Sequence, residues 1–157
     1  MAVVIIVLII RLIVLKKSYT YTEEYIENLT QYRTAFANAL CAYIIYYFSD
    51  VEKEEPTITA YRLDENVNVV QLVYTSDLFF SIKINWRLHT FLIERQEAYK
   101  GDVCYSAKRF HFSPTYMVNF DKVSGFLQKS DLRAYNKLYK SDYEAAAAEQ
   151  KNNEQDE

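Results

Sequence analysis

The chain predicts an α+β protein: a long N-terminal amphipathic helix and a C-terminal helix packed on an antiparallel sheet of about four strands, preceded by a hydrophobic N-terminal segment. Three observations carry that prediction. A stripe of Tyr, Leu and Phe runs at helical spacing from Tyr25 to Tyr47, runs rich in β-branched and aromatic residues and split by short polar links occupy 57–93, and helical periodicity returns near Ser130. At 157 residues, length favours about one domain. The organisation read from the sequence is a hydrophobic segment (1–17), one α+β domain (18–143) and an acidic disordered tail (144–157).

Met1 to Leu15 (MAVVIIVLIIRLIVL) holds one polar side chain, Arg11. As a helix it reaches about 22 Å, short of the roughly 30 Å hydrocarbon layer, and counting to Tyr19 gives about 28 Å. Arg11, Lys16, Lys17 and Tyr19 are of the types that settle at a membrane interface. All the nearby positive charge follows the run, which predicts the N-terminus outside and the domain cytoplasmic. The competing reading is a buried element of a soluble cytoplasmic protein, since nine of the fourteen residues after Met1 are Val or Ile. A cleaved signal peptide fits less well, because no basic stretch precedes the run and no small-residue cleavage site follows it.

Thr20 and Glu23 form a capping box that opens a new helix. Its predicted core face is Tyr25, Leu29, Tyr32, Phe36, Leu40, Tyr43 and Tyr47, and Ala35 to Phe48 is apolar nearly all round, predicting burial. Ser49 to Pro56 (SDVEKEEP) reads as a solvated linker.

Thr57 to Leu63, Val67 to Thr75 and Leu78 to about Ile93 read as three strands. The links Asp64-Glu65-Asn66 and Thr75-Ser76-Asp77 are short enough to force an antiparallel meander. In the third strand Phe80, Ile82, Ile84, Trp86 and Leu88 point one way, and Ser81, Lys83, Asn85, Arg87 and His89 the other. Glu94 to Ala107 is polar and contains Gly101, so it reads as a loop, and Lys108 to Phe120 as a fourth strand bent at Pro114. From Ser130, taken as the cap, Leu132, Tyr135 and Tyr139 share a helical face.

Composition narrows the chemistry. Two Gly and two Pro leave no glycine-rich phosphate loop, and Cys41 and Cys104 form no CxxC pair, so neither a zinc site nor a disulfide framework is predicted. No cofactor and no metal is expected. The net charge of -3, pI near 5.5 and mean hydropathy of -0.21 give no global attraction to polyanions and no polytopic membrane protein. Charge is nonetheless segregated. Between Ser81 and His111 six basic side chains face three acidic ones, while from Ser141 onward one faces six.

Lys83, Arg87, His89, Arg109 and His111 are therefore the candidate binding residues, a basic sheet face if the third and fourth predicted strands are neighbours. Phe110 and Phe112 have the opposite parity to Arg109 and His111, which predicts that those aromatics line the core. For catalysis the one available set is Cys104 with His111 or His89 and Asp102 as orienter, which random placement explains equally well.

The expectation is a non-enzymatic interaction protein, tethered to the cytoplasmic face of a membrane, that contacts another protein through exposed tyrosines and a sheet edge or basic face. A second copy of the chain is also a candidate partner. The alternative is a soluble single-stranded nucleic-acid-binding module, and the third reading is a cysteine-based enzyme. Low Gly and Pro with abundant Tyr, Ile, Asn and Lys suggests an AT-rich source such as a phage or mobile element.

Overall fold

The computed structural model describes residues 27–48, 55–75 and 77–153. The fold is α+β: one antiparallel sheet of five strands with helices on one face. The elements are α1 (27–48), β1 (Thr57–Asp64), β2 (Val67–Val73), β3 (Leu78–Asn85), β4 (Thr90–Tyr99), β5 (Asp102–His111), α2 (Phe120–Ala134), a π-helical turn (Tyr135–Tyr139) and α3 (Lys140–Asn153). Met1 to Leu15, with Arg11, Lys16, Lys17 and Tyr19, lies outside the described residues, as does the Thr20 capping box. Among the described residues no helix is long and apolar enough to cross a membrane.

Contacts divide the chain between Leu40 and Cys41. In α1 up to residue 40, Phe36 and Leu40 are buried while Tyr32 is 65% exposed. From Cys41 on, the helix belongs with the sheet, and the buried side chains are Cys41, Ile44 and Phe48. Tyr43 and Tyr47, predicted as core, are half-buried and keep their hydroxyls bonded, to the Phe120 carbonyl and to Asp131. Nor is 35–48 buried all round: Ala35, Ala39, Ala42 and Tyr46 are exposed. Alanine is compatible with either environment, so an alanine-rich window does not by itself mark a buried helix.

The strands lie side by side in chain order, β1-β2-β3-β4-β5. Both predicted links hold. The Asp64 carboxylate accepts from the Asn66 N–H at 2.7 Å, and the Thr75 hydroxyl accepts from Asp77 and Leu78 N–H, local bonds that turn the chain without glycine.

The long third strand of the sequence reading is two strands. Asn85 Oδ1 accepts from the Leu88 N–H, and His89 takes φ 48°, closing a hairpin over 86–89. Alternation holds through Trp86, buried with its Nε1 donating to Asn68 Oδ1 at 2.7 Å, and fails at Leu88, 61% exposed in the turn. The predicted loop over 94–107 is a second hairpin. Lys100 (φ 50°) and Gly101 (φ 89°) form a two-residue turn with both φ positive, the geometry that matches strand twist. The fourth predicted strand ends at His111, and Phe120 opens a helix capped by Asn119, whose side chain accepts from the Lys122 N–H. Ser130, taken as a cap, is buried inside α2 with its hydroxyl on the Leu127 carbonyl. At the C-terminus α3 carries helix through Asn153, into the segment read as tail, with side chains from Tyr143 to Lys151 exposed.

The core lies on the sheet face bearing Leu72, Phe80, Ile82, Ile84, Phe91 and Ile93, all fully buried, against Ile44 of α1 and Val123 and Leu127 of α2. Rings knit the layers together. Phe48 sits 5.0 Å from Phe80, Phe91 stacks on Phe110 at 5.1 Å, and Phe110 meets Phe126 edge-on at 5.9 Å. Phe110 and Phe112 are thus core, as their parity predicts.

Candidate functional site

Cross-strand register determines which side chains share a face, because directly opposed residues point the same way. On the face away from the core, one row runs Tyr61, Val69, Lys83, Leu92, Arg109. A second runs Thr57, Val73, Phe79, Gln96, Tyr105, and between them lies Thr59, Gln71, Ser81, Glu94, Ala107. This outer face is mixed. Tyr105 donates to Glu94 Oε1 at 2.5 Å, a bond to a carboxylate that raises the Tyr105 phenol above its ordinary value.

Of the five candidate binding residues, the structure puts three on this face. Lys83 and Arg109 share a row but are not on adjacent strands, because β4 lies between them and Leu92 separates the two cations. At about 4.8 Å per strand they stand roughly 10 Å apart across the sheet. His111 lies one row further on, opposite Thr90. Arg87 and His89 are in the β3–β4 turn, with the His89 ring 5.4 Å from that of Phe112. The continuous basic patch expected from two adjacent strands is therefore interrupted.

Cys104 and His111 do not meet. They lie seven residues apart on β5, on opposite faces, and Cys104 is buried beside Ala134 and Leu138. Cys41 is buried too, which pushes its thiol up to about 11, and both cysteines are free. Among the described residues no group of His, Cys, Asp and Glu could hold a metal ion.

A polar cluster that sequence reasoning missed sits on the core side. Arg95, 6% exposed, donates through Nη1 to Asp131 and to the Ser130 hydroxyl (3.1 Å), and through Nη2 to Glu97 Oε2 (2.6 Å). The far oxygens are also used, Glu97 Oε1 by Tyr139 OH at 2.7 Å and Asp131 Oδ2 by Tyr47 OH at 3.1 Å. The guanidinium carbon lies 5.5 Å and 5.7 Å from the Phe48 and Phe80 ring centres. Burial, and then the Asp131 carboxylate, push the Tyr47 phenol up to about 12, while burial and the bond to Glu97 raise Tyr139 further. Every carboxylate oxygen is engaged and the Ser130 hydroxyl is spent on the Leu127 carbonyl, so the cluster ties α1, β4, α2 and the π-helical turn together. The detectable signal was Arg95 and Glu97 at alternate positions, a strand spacing inside a segment read as loop.

The two edges of the sheet differ. β5 is obstructed at one end, where Lys137 donates from the π-helical turn to the Val103 carbonyl at 2.6 Å. All eight residues of β1 are exposed, including Ile58 (54%), Tyr61 (43%) and Leu63 (53%). Among the described residues its outer edge pairs with no strand. No protein-family model, characterised protein or solved structure matches the chain.

Proposed function

We propose that this is a non-enzymatic interaction protein that binds a polypeptide partner through the open edge of β1, and that its N-terminal apolar run tethers it to the cytoplasmic face of a membrane. The observation that carries the reading is the exposure of all eight β1 residues, on both faces of the strand. A bare strand edge is a template for main-chain hydrogen bonds with another strand, and the neighbouring apolar side chains supply contact area. The tether is supported by sequence alone: the apolar run, with its flanking Lys16, Lys17 and Tyr19, matches interface chemistry.

A photo-crosslinking amino acid at Thr59 or Tyr61, in the full chain in cells, tests the edge. Covalent adducts to polypeptide are expected there and not from the same probe at exposed Lys151; equal labelling at both would sink the reading. Fractionation of the same cells tests the tether, which requires the full chain in the membrane pellet and a chain starting at Ser18 in the supernatant.

The second reading is single-stranded nucleic-acid binding on the outer face. The row Tyr61, Val69, Lys83, Leu92, Arg109 favours it by setting one ring and two cations on a common face, with Phe79 and Tyr105 two rows away, because a sequence-tolerant strand binder combines stacking rings with cations.

A further inference from the structure

The pattern of backbone bonds determines which groups of β1 face outward. Tyr74 N–H donates to the Leu78 carbonyl and Trp86 N–H to that of Asn66, so even-numbered residues at β2 bond toward β3. Odd-numbered residues of β2 then serve β1, opposite Thr57, Thr59 and Tyr61. The N–H and C=O groups of Ile58, Ala60 and Arg62 are left pointing away from the sheet.

We infer that the occupant of this edge is a second copy of the chain, pairing β1 to β1 antiparallel about a two-fold axis at Ala60; this rests on the interaction reading above and names its partner. The outward residues are symmetric about Ala60, so that Ile58 opposes the second copy's Arg62, Ala60 opposes Ala60, and every outward group meets an outward group. About six backbone hydrogen bonds result. The side chains agree with that register. Ala60 puts only a methyl at the axis, while Tyr61 faces Thr59 and Leu63 faces Thr57 of the second copy, covering side chains exposed in the single chain. No like charges are directly opposed within the strand, and the two Arg62 side chains stand four positions apart along it, roughly 13 Å and beyond a Debye length.

Over Thr57–Tyr61 β1 lacks the devices that protect an edge, with no Pro and no charged side chain; Arg62, which bonds the Asp64 carbonyl at 2.9 Å, and the register shift between Arg62 and Asp64 lie at its end. β5 has such a device. Phe112 N–H bonds to the His89 carbonyl, which places the odd residues of β5 outward, and the outward carbonyl of Val103 is the one Lys137 covers. With β1 unpaired among the described residues and β5 obstructed at its Val103 end, β1-to-β1 pairing gives a closed two-fold pair of continuous sheets.

The test uses the purified full chain in sedimentation velocity over a concentration series. The expected result is a reversible dimer that Ala60→Pro weakens about tenfold or more, through the two symmetry-related N–H bonds it deletes. Ile58→Lys, which changes only a side chain and sets a cation opposite Arg62, should dissociate it as well. Under mild oxidation Ala60→Cys should cross-link to its own kind, since opposed residues of a bonded pair have Cα atoms about 5.5 Å apart, within disulfide reach. Thr57→Cys, opposed to Leu63, should not, and the buried native cysteines give no background. A monomer at every concentration overturns the inference, as does a dimer that ignores both substitutions with Ala60→Cys left reduced. If the chain is monomeric yet a photo-probe in β1 captures a different polypeptide, self-pairing fails and the interaction reading survives; if neither occurs, both fail.

Discussion

The Lys137 ammonium lies 2.6 Å from the Val103 carbonyl, and this one bond separates the two ends of the sheet in kind. It depends on the π-helical turn, whose extra residue rephases the chain between α2 and α3 so that Leu138 is buried while Lys137 reaches the strand edge and Tyr139 reaches Glu97. On β1 the one such bond among the described residues is internal and at the strand's end, from Arg62 Nε to the Asp64 carbonyl at 2.9 Å.

Proline substitution should read out the bonding parity of β1. Ala60→Pro removes an outward N–H and should leave monomer stability nearly unchanged. Thr59→Pro removes a bond to β2 and should cost about 3 kcal/mol. Urea denaturation at a protein concentration low enough to keep the chain monomeric compares the two, and equal losses would refute the parity.

Arg95 should be among the most sensitive polar positions. Arg95→Met strands Glu97, whose side chain is 12% exposed, and the expected cost is about 3 to 5 kcal/mol. Arg95→Met with Glu97→Met removes the two most buried charges and should recover part of that loss, the remainder coming from Asp131, 37% exposed, and the Tyr139 hydroxyl, each of which loses a partner. A double-mutant cycle by chemical denaturation measures the coupling, and additive losses would show that the pair does not act as a unit.

The two glycines should respond with opposite signs. A Cβ at either Gly101 or Gly125 meets nothing within 4 Å, so backbone conformation alone decides. Gly101 sits at φ 89° in the β4–β5 turn, and Gly101→Ala should cost about 1 kcal/mol. Gly125 lies inside α2, where Gly125→Ala should stabilise by about 0.5 to 1 kcal/mol. Thermal unfolding of both variants checks the pair.

Particular residues show why the sequence was legible in some places and opaque in others. Alternation of Phe80, Ile82, Ile84 and Trp86 announced β3 and its buried face, because an apolar side chain every second residue has one structural solution. The turn that follows was hidden: it is made by an Asn85 side-chain bond and a histidine at positive φ, with no glycine or proline to mark it. The sixteen-residue run from Leu78 to Ile93 was itself the warning, being far longer than a usual strand. β4 was hidden for the opposite reason. Its Arg95 and Glu97 face the core, where they pair with each other and with Ser130, Asp131 and Tyr139, and a solvation rule reads such residues as loop. The basic face was half legible: parity placed Lys83, Arg109 and His111 together correctly, but the unseen β4 separates Lys83 from Arg109.

Alkaline pH should loosen the Arg95 cluster. The folded-state value of Tyr47 is raised to about 12 from an ordinary value of 10, so its stabilising contribution is complete below pH 10 and is lost as pH rises toward 12, when the unfolded chain ionises first. Tyr139 acts in the same direction. Denaturation midpoints should fall across that window, and Tyr47→Phe should flatten the fall. An identical slope in the variant would show that other groups control it.

If the outer face binds single-stranded nucleic acid, affinity must fall linearly with log salt, because cations there release counterions from phosphates. Lys83 and Arg109 share a row, so Lys83→Ala and Arg109→Ala should each lower the slope by about 0.7, while Lys151→Ala on the exposed face of α3 should leave it unchanged. Tyr61→Ala, at the far end of that row, should weaken binding by about 1 to 3 kcal/mol without changing the slope, since stacking releases no ions. Fluorescence anisotropy with a short oligonucleotide at several salt concentrations separates these terms. Binding that is flat in salt, or equally reduced by Lys151→Ala, would remove this face from consideration and leave the β1 edge as the surface through which the protein acts.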